Sequence, residues 1–340
     1  MVKGAKLNSQ TPLISVIIST YNSEKFIKQK IEDVLNQSIA DLLEIIIVNS
    51  GSRENEDIIV REFFNKGKNI KYIRTEERET IYKAWNRGIS ASSGKYITNS
   101  NTDDRLRQDA LELLAQELDK NPDVVLVYAD QYVTSTPNEL FNARHKNEVI
   151  KMPDFDYLVQ LDRCIVFSQP MWRASLHFDE NVWFDENYEV CGDHEFELNI
   201  SFNRKMKHIP VVLGSFYKAK DKSNKSFQRL DKIQKERESL TTKYIRKYIS
   251  DLGVSQLNTL YKIFGFYTKL PIPISYLILK CKMIYSSNHV FNLEFIYFIT
   301  SVILERKKDS KEIQRICSQF LKWKYSSRIE QLLKNNYNLE

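Results

Sequence analysis

Two nearly continuous apolar, β-branched runs, Leu13–Thr20 (LISVIIST) and Leu42–Val48 (LLEIIIV), flank one amphipathic stretch, Glu24–Gln37. A strand that is apolar on both faces must be covered on both faces. This is the mark of a parallel sheet with helices packed on each side. The intervening stretch places Phe26, Ile27, Ile31, Val34 and Leu35 at helical spacing, and Ser23 stands where a helix cap is expected. The alternation then continues. Helix Glu56–Asn65, strand Ile70–Arg74, helix Tyr82–Ser92, strand Tyr96–Thr98, helix Gln108–Lys120 and strand Val124–Ala129 follow in order. Such an order predicts an α/β fold with right-handed crossovers. Ligands of such sheets bind at the carboxyl ends of the strands. Three polar loops fall there: Tyr21-Asn22, Asn49–Ser52 and Asn101–Asp104.

No GxGxxG follows the first strand and no GxxxxGK[ST] occurs, which argues against dinucleotide binding and against a P-loop. Cys164, Cys191, Cys281 and Cys317 are widely spaced, with no zinc-like cluster, and a reducing cytoplasm is the expectation. Residues 1–12 carry no apolar run of the secretory kind. The apolar stretches Leu270–Leu279 and Val290–Leu304 are broken by Pro271, Pro273 and Glu294, and read as core helices instead of membrane spans. Charge is uneven. Residues 1–219 hold 27 Lys+Arg against 33 Asp+Glu, whereas residues 220–340 hold 23 against 11. A basic tail on an acidic body suggests an anionic partner for the tail.

The stretch Lys95–Leu106 (KYITNSNTDDRL) sets Asp103 and Asp104 side by side just after a strand. Adjacent carboxylates repel, and a cation, hydrogen-bond donors or water must offset this. A hard divalent ion is one candidate and capping of the next helix is the other. Further on, Asp154–Leu161 reads as a helix, Cys164–Ser168 as a short strand and Gln169–Trp172 as a loop. Asp193, His194 and Glu195 open a helix, and Pro210–Phe216 is a late strand.

Taken together, LISVIISTYN, EIIIVNSGS, IYKAWNRGISASSGKYITNSNTDD and CGDHEFELNISF, in that order over about residues 12–216, resemble the family 2 glycosyltransferases. The finer resemblance is to the branch that builds bacterial polysaccharide and lipooligosaccharide. The resemblance implies a GT-A-like, Rossmann-type, mostly parallel sheet flanked by helices over residues 12–224. Residues 225–340 then form a basic, mainly helical C-terminal extension.

It also implies site roles. Asp103 matches the acid that holds a divalent cation, Mg²⁺ or Mn²⁺, against a nucleotide-sugar diphosphate, with Asp104 beside it. Asn101 stands where the family carries the acid that meets the ribose, and Thr102 lies between. Thr20, Tyr21 and Glu24 match one side of the nucleotide pocket. Asn49 or Ser50 replaces the aspartate that accepts from the base on the other side, which leaves guanine or thymine open beside uracil. Asn86 and Arg87 match the helix over the donor, and Arg87 is suited to phosphate. Asp193 matches the catalytic base, with Gly192 in place of the acid that normally precedes it. It also stands where a helix cap would. Glu195 is assigned to acceptor support, and His194 to the pocket wall or the helix surface. Trp172 reads equally as a platform for an acceptor sugar and as core. The family's late metal-ligating histidine is missing, and Lys218 or Lys220 stands near its place.

The expected activity is inverting transfer of a sugar from a nucleotide-diphosphate donor to a hydroxyl of a saccharide or lipid-linked acceptor, in cell-surface glycan synthesis. The expected location is cytoplasmic, with the basic extension on an anionic membrane surface. No nucleic-acid-binding module is recognisable. The alternative is a non-catalytic nucleotide-sugar-binding or scaffold protein with a degenerate site. A sugar-1-phosphate nucleotidyltransferase is disfavoured, because Thr20–Phe26 lacks glycine.

Overall fold

The computed structural model describes residues 11–64, 69–143, 148–155, 157, 160, 164–219 and 230–250. The core helices expected at Leu270–Leu279 and Val290–Leu304 lie outside them, as does Lys220. The chain divides into two compact units, Met1–Tyr244 and Ile245–Glu340. No helix among the described residues is long and apolar enough to cross a membrane.

Strands β1 (Ile14–Thr20), β2 (Leu43–Ser50), β3 (Ile70–Thr75) and β4 (Tyr96–Asn99) pair in parallel in the order β3-β2-β1-β4. The sheet continues through β8 (Met171–Arg173), β6 (Val124–Thr134), β9 (Lys205–Tyr217) and β5 (Arg105–Leu106), with β7 (Val149–Ile150) paired to β6. β6 and β9 are parallel, while β8 and β5 run antiparallel to their neighbours. This is the expected α/β sheet, parallel where the first motifs lie.

Period-two alternation explains the layers. Ile14, Val16 and Ile18 of β1 join one core with Ile27, Ile31 and Val34 of helix α1 (Glu24–Leu35). Val60 and Phe63 of α2 (Glu56–Phe64) and Leu111, Leu114 and Leu118 of α4 (Ala110–Lys120) complete that face. On the opposite face Ile17, Ile46 and Val48 meet Tyr82, Trp85 and Ile89 of α3 (Ile81–Ser90). Phe184 and the α6 (Gly192–Ser201) residues Phe196 and Ile200 belong to this second core, and the short helix α5 (Ser175–Phe178) adds Leu176.

Three expectations need correction. Cys164–Ser168 is not a strand. Its backbone is satisfied by side chains instead, with Ile165 N donating to Gln160 Oε1 (3.0 Å) and Ser168 O accepting from Gln131 Nε2 (3.2 Å). Gln169 then takes a left-handed φ of 61°. The ladder beside β4 is filled by Met171–Arg173, read from sequence as loop; Gln169-Pro170 looks like a breaker, and three residues show no period. Asp103 and Asp104 do not cap α4, because that helix begins only at Ala110. Trp172 is 1% exposed. Its ring packs on His177, Phe184 and Phe196, and its Nε1 donates to His177 Nε2 (2.8 Å). Burial pushes the His177 imidazole down to about 4, so it is neutral and free to accept that bond. Trp172 thus offers no face to an acceptor sugar.

Trp172→Ala should therefore cost about 3–5 kcal/mol of stability, as a large core aromatic does. A thermal unfolding midpoint that stays at the wild-type value would contradict this placement.

Candidate active site

The loops after β1 and β2 are stitched together. Asn22, in the left-handed region (φ 49°), receives Arg53 N at its Oδ1 (3.0 Å) and donates its own N–H to Ser52 Oγ (3.0 Å). Glu24 Oε2 accepts from the backbone and side-chain nitrogens of Asn55 (3.3 and 3.0 Å). Ser23 N–H donates to Glu56 Oε1 (2.6 Å). Gly51 takes φ +63°, and a Cβ there would sit 2.8 Å from the Glu77 backbone, so this turn requires glycine.

Within this frame Asn49 is fully buried and spent on the loop. Its Oδ1 accepts from Ser52 N (2.9 Å) and its Nδ2 donates to Tyr72 OH (2.9 Å). Ser50 Oγ bonds the backbone of Glu79 and is also buried. Thr20 Oγ1 is buried with no hydrogen-bond partner among the described residues. Tyr21 is half-exposed, with the Arg78 guanidinium 4.4 Å above its ring. Of these candidates, Tyr21 and Glu24 retain exposed surface while Thr20, Asn49 and Ser50 are buried.

On α3, Asn86 braces the segment before α6. It donates to Phe184 O (2.9 Å) and Glu186 Oε1 (3.0 Å), and its Oδ1 receives Phe184 N (3.1 Å). Arg87 pairs through two nitrogens with Glu79, whose carboxyl is held below the usual range first by that bond.

The acid loop follows β4. Asp104 is 1% exposed and fully committed. It accepts from Tyr217 N (3.0 Å) at Oδ1, and from Asn101 Nδ2 (3.1 Å) and the Ser168 hydroxyl at Oδ2. Asp103 is half-buried, and its carboxylate accepts only from its own backbone among the described residues. Desolvation, followed by the Asp104 charge, pushes it up to about 7. Thr102 is buried and its carbonyl accepts from Arg105 Nη1 (2.8 Å). The exposed Lys218 follows the Tyr217 that Asp104 holds, which puts it at this loop.

No group of three or more His, Cys, Asp or Glu able to hold a metal ion occurs among the described residues. One open carboxylate fits a Mg²⁺-type ion that takes its remaining ligands from substrate phosphates and water.

Beneath the loop lies a cluster that the sequence did not announce. Lys30 of α1 is fully buried, and its Nζ donates to Asp33 Oδ2 (3.3 Å), Ser100 Oγ (3.1 Å) and Gln169 Oε1 (3.2 Å). Asp33 Oδ2 also receives Leu106 N (2.9 Å). Arg105, 1% exposed, clamps the carbonyls of Thr102 and Asp104 and reaches Asn138. Desolvation is the largest influence on both partners, lowering Lys30 and raising Asp33.

Asp193 sits in the first turn of α6, half-buried. Cys191, not Asp193, occupies the cap position. Asp193 Oδ1 accepts from His194 N (2.8 Å) and lies 3.4 Å from Tyr82 OH, whose one proton is donated to Val190 O (2.5 Å). Tyr82 opens α3 just after the carboxyl end of β3, so Asp193 stands at the ligand end of the sheet. Burial raises its pKa. A Cβ on Gly192 would lie 2.7 Å from the buried Tyr82 ring, so Tyr82 occupies the space an acid at that position would need. His194 is buried, with Nε2 on Gln160 O (2.5 Å). Glu195 is buried and bound to Tyr244 OH (2.6 Å) and Lys243 Nζ (2.8 Å) of α7 (Leu230–Ser250). Neither His194 nor Glu195 faces solvent, so both act as scaffold in this structure. Tyr82, Lys30 and Arg105 escaped the sequence reading. Lys30 alone left a signal, a cation on the helix face that carries Ile27, Ile31 and Val34.

With this geometry in place, solved structures supply the class: the fold is that of the GT-A glycosyltransferases. S. aureus TarS in complex with UDP-GlcNAc aligns over 78% of this chain and 78% of that one, with TM-score 0.56 and 18% identity. The Pyrobaculum calidifontis mannosyltransferase PcManGT, in complex with GDP-Man and Mn²⁺, aligns over 98% and 89%, with TM-score 0.52 and 15% identity. Residues 15–175 match the model of glycosyl transferase family 2. Escherichia coli chondroitin synthase is 27% identical over 258 residues, which span 75% of this chain and 36% of that protein.

The two acids of the loop should separate in experiment. Asp104→Ala orphans three donors and is expected to cost about 1–3 kcal/mol of stability, measured by urea unfolding. Asp103→Asn removes no internal partner and should stay within about 0.5 kcal/mol of wild type. The reverse ranking would show that Asp103 is the structural acid.

Proposed function

We propose that this chain is an inverting glycosyltransferase acting on a nucleotide-diphosphate sugar. The observation that carries the reading is the division of the carboxylates. Asp103 and Asp193 keep open surface at the ligand end of the sheet, while Asp104 and Glu195 are consumed by the scaffold.

Asp193 takes the proton of an acceptor hydroxyl as that oxygen attacks the anomeric carbon. The bond from that carbon to the diphosphate breaks, and the nucleoside diphosphate leaves with the electron pair. Tyr82 OH stands 3.4 Å from Asp193, and the raised pKa of this carboxylate makes it a better base. Asp103 is the residue that would hold Mg²⁺ or Mn²⁺. Such an ion, when bound, supplies Lewis-acid stabilisation of the charge on the departing diphosphate. Lys218 is placed to add positive charge there. Tyr21 and the loops carrying Ser50 and Ser52 enclose the nucleoside. TarS and PcManGT are described with UDP-GlcNAc and GDP-Man respectively, and both donors belong in a screen. The acceptor is a saccharide or lipid-linked hydroxyl in cell-surface glycan synthesis, and the net-basic residues 220–340 suit an anionic membrane surface.

The test is release of nucleoside diphosphate from a panel of nucleotide sugars with Mn²⁺ or Mg²⁺ and mixed saccharide acceptors. Release from one donor, abolished by Asp103→Ala and by Asp193→Ala, supports the reading. Donor binding without release under every acceptor would favour a non-catalytic nucleotide-sugar-binding protein.

The pH profile gives an independent check. A base works when deprotonated, so kcat/KM rises with pH through the Asp193 pKa and then levels. Because burial raises that pKa, the acid limb should lie above the ordinary aspartate value of 3.8. A profile flat down to that value would exclude Asp193 as the base.

A further inference from the structure

Helix α7 lies outside residues 15–175, the segment that matches the family, yet its residues 232–244 reach the chain on both sides of the candidate base. On the N-terminal side, Glu236 accepts three consecutive backbone N–H groups. Oε1 takes Glu189 N (3.0 Å), and Oε2 takes Val190 N (3.0 Å) and Cys191 N (2.9 Å). Cys191 Sγ adds a contact to Ile233 O (3.8 Å), and Lys232 pairs with Glu189. On the C-terminal side, Tyr244 and Lys243 bind Glu195. Leu240 and Tyr244 are buried, so this part of α7 is packed against the unit instead of lying over it.

The segment held by Glu236 also bonds to α3 and α6. Among its described hydrogen bonds, Tyr82 OH meets Val190 O, and Cys191 O receives Glu195 N (2.9 Å). A run of N–H groups converging on one carboxylate is charge-assisted and fixes the path of the chain. That path ends two residues before Asp193. A base displaced by about 1 Å loses rate on the order of 100-fold.

We propose that Glu236 is a positioning residue for the transfer reaction. By fixing residues 189–191 it sets the place of Asp193, and α7 thereby becomes part of the acceptor half of the site. The proposal rests on Asp193 as base. It assigns no contact with substrate to Glu236.

The test uses the full chain with Glu236→Ala, Glu236→Gln and Tyr244→Phe beside Asp193→Ala. Glu236→Ala should lower kcat about 10- to 100-fold and leave the donor KM within about twofold, because the Asp103 side is untouched. Glu236→Gln should fall between, since its amide keeps one acceptor oxygen and turns an NH₂ towards a donor. Amide hydrogen exchange at Glu189, Val190 and Cys191 should rise in Glu236→Ala whatever the chemistry of the site. If Glu236→Ala does not fold, Glu236→Gln and Tyr244→Phe supply the same comparison, with kcat reduced and donor KM kept. Raised exchange with unchanged kcat, while Asp193→Ala is inactive, would overturn the positioning role alone. Full turnover in Asp193→Ala would overturn the base assignment and the proposal with it, and the exchange data would still report the hold of Glu236. A loss confined to donor KM would also contradict the proposal.

Discussion

The ammonium of Lys30 has no exposed surface, and the acid loop depends on how that charge is compensated. A buried cation is tolerated only when paired and hydrogen-bonded. Here Asp33, Ser100 and Gln169 surround it, and Arg105 and Asp104 lie within the same electrostatic neighbourhood. Such clusters are weak sources of stability but strict about geometry, because a misplaced partner leaves a bare charge in the interior. Its members come from α1, the end of β4, β5 and the turn before β8. The cluster therefore fixes the loop between β4 and β5, on which Asp103 stands.

The same logic recurs at the second acid pair. Asp104 beside Asp103, and Glu195 beside Asp193, are each drawn into the scaffold: Asp104 by Tyr217 N, Asn101 and Ser168, Glu195 by Tyr244 and Lys243. Each leaves a neighbour with open surface and a pKa raised by burial. Where a carboxylate is satisfied internally it is structural. Where it is only partly desolvated, at the strand ends, it is available for a proton, a cation or a substrate.

Much of the sheet was legible because two-sided burial writes itself as unbroken Ile and Val, as in β1 and β2. Asp103 and Asp193 were legible through their place after a strand and at a helix start. Trp172 was ambiguous, because an aromatic before a short helix looks the same facing core or cleft; its hydrogen bond to His177 decides it. Asn49 read as a base contact by its position, yet its Oδ1 serves the turn and its Nδ2 serves Tyr72 of β3. Tyr82 and Glu236 were hidden for a different reason. Tyr82 looks like any amphipathic helix aromatic, and its meaning comes from Gly192, 110 positions away, which cannot carry a side chain beneath its ring. Glu236 lies on a Lys-rich helix, where an acid looks like surface charge. Contacts that join distant segments leave no local pattern.

The account holds that one carboxylate serves the donor and the other the acceptor proton. Calorimetric titration of the donor into Asp103→Asn and Asp193→Asn, with divalent cation present, tests this most directly. The account predicts donor affinity near wild type for Asp193→Asn and a loss of tenfold or more, about 1.4 kcal/mol, for Asp103→Asn. Equal weakening by both substitutions, or weakening by Asp193→Asn alone, would contradict it.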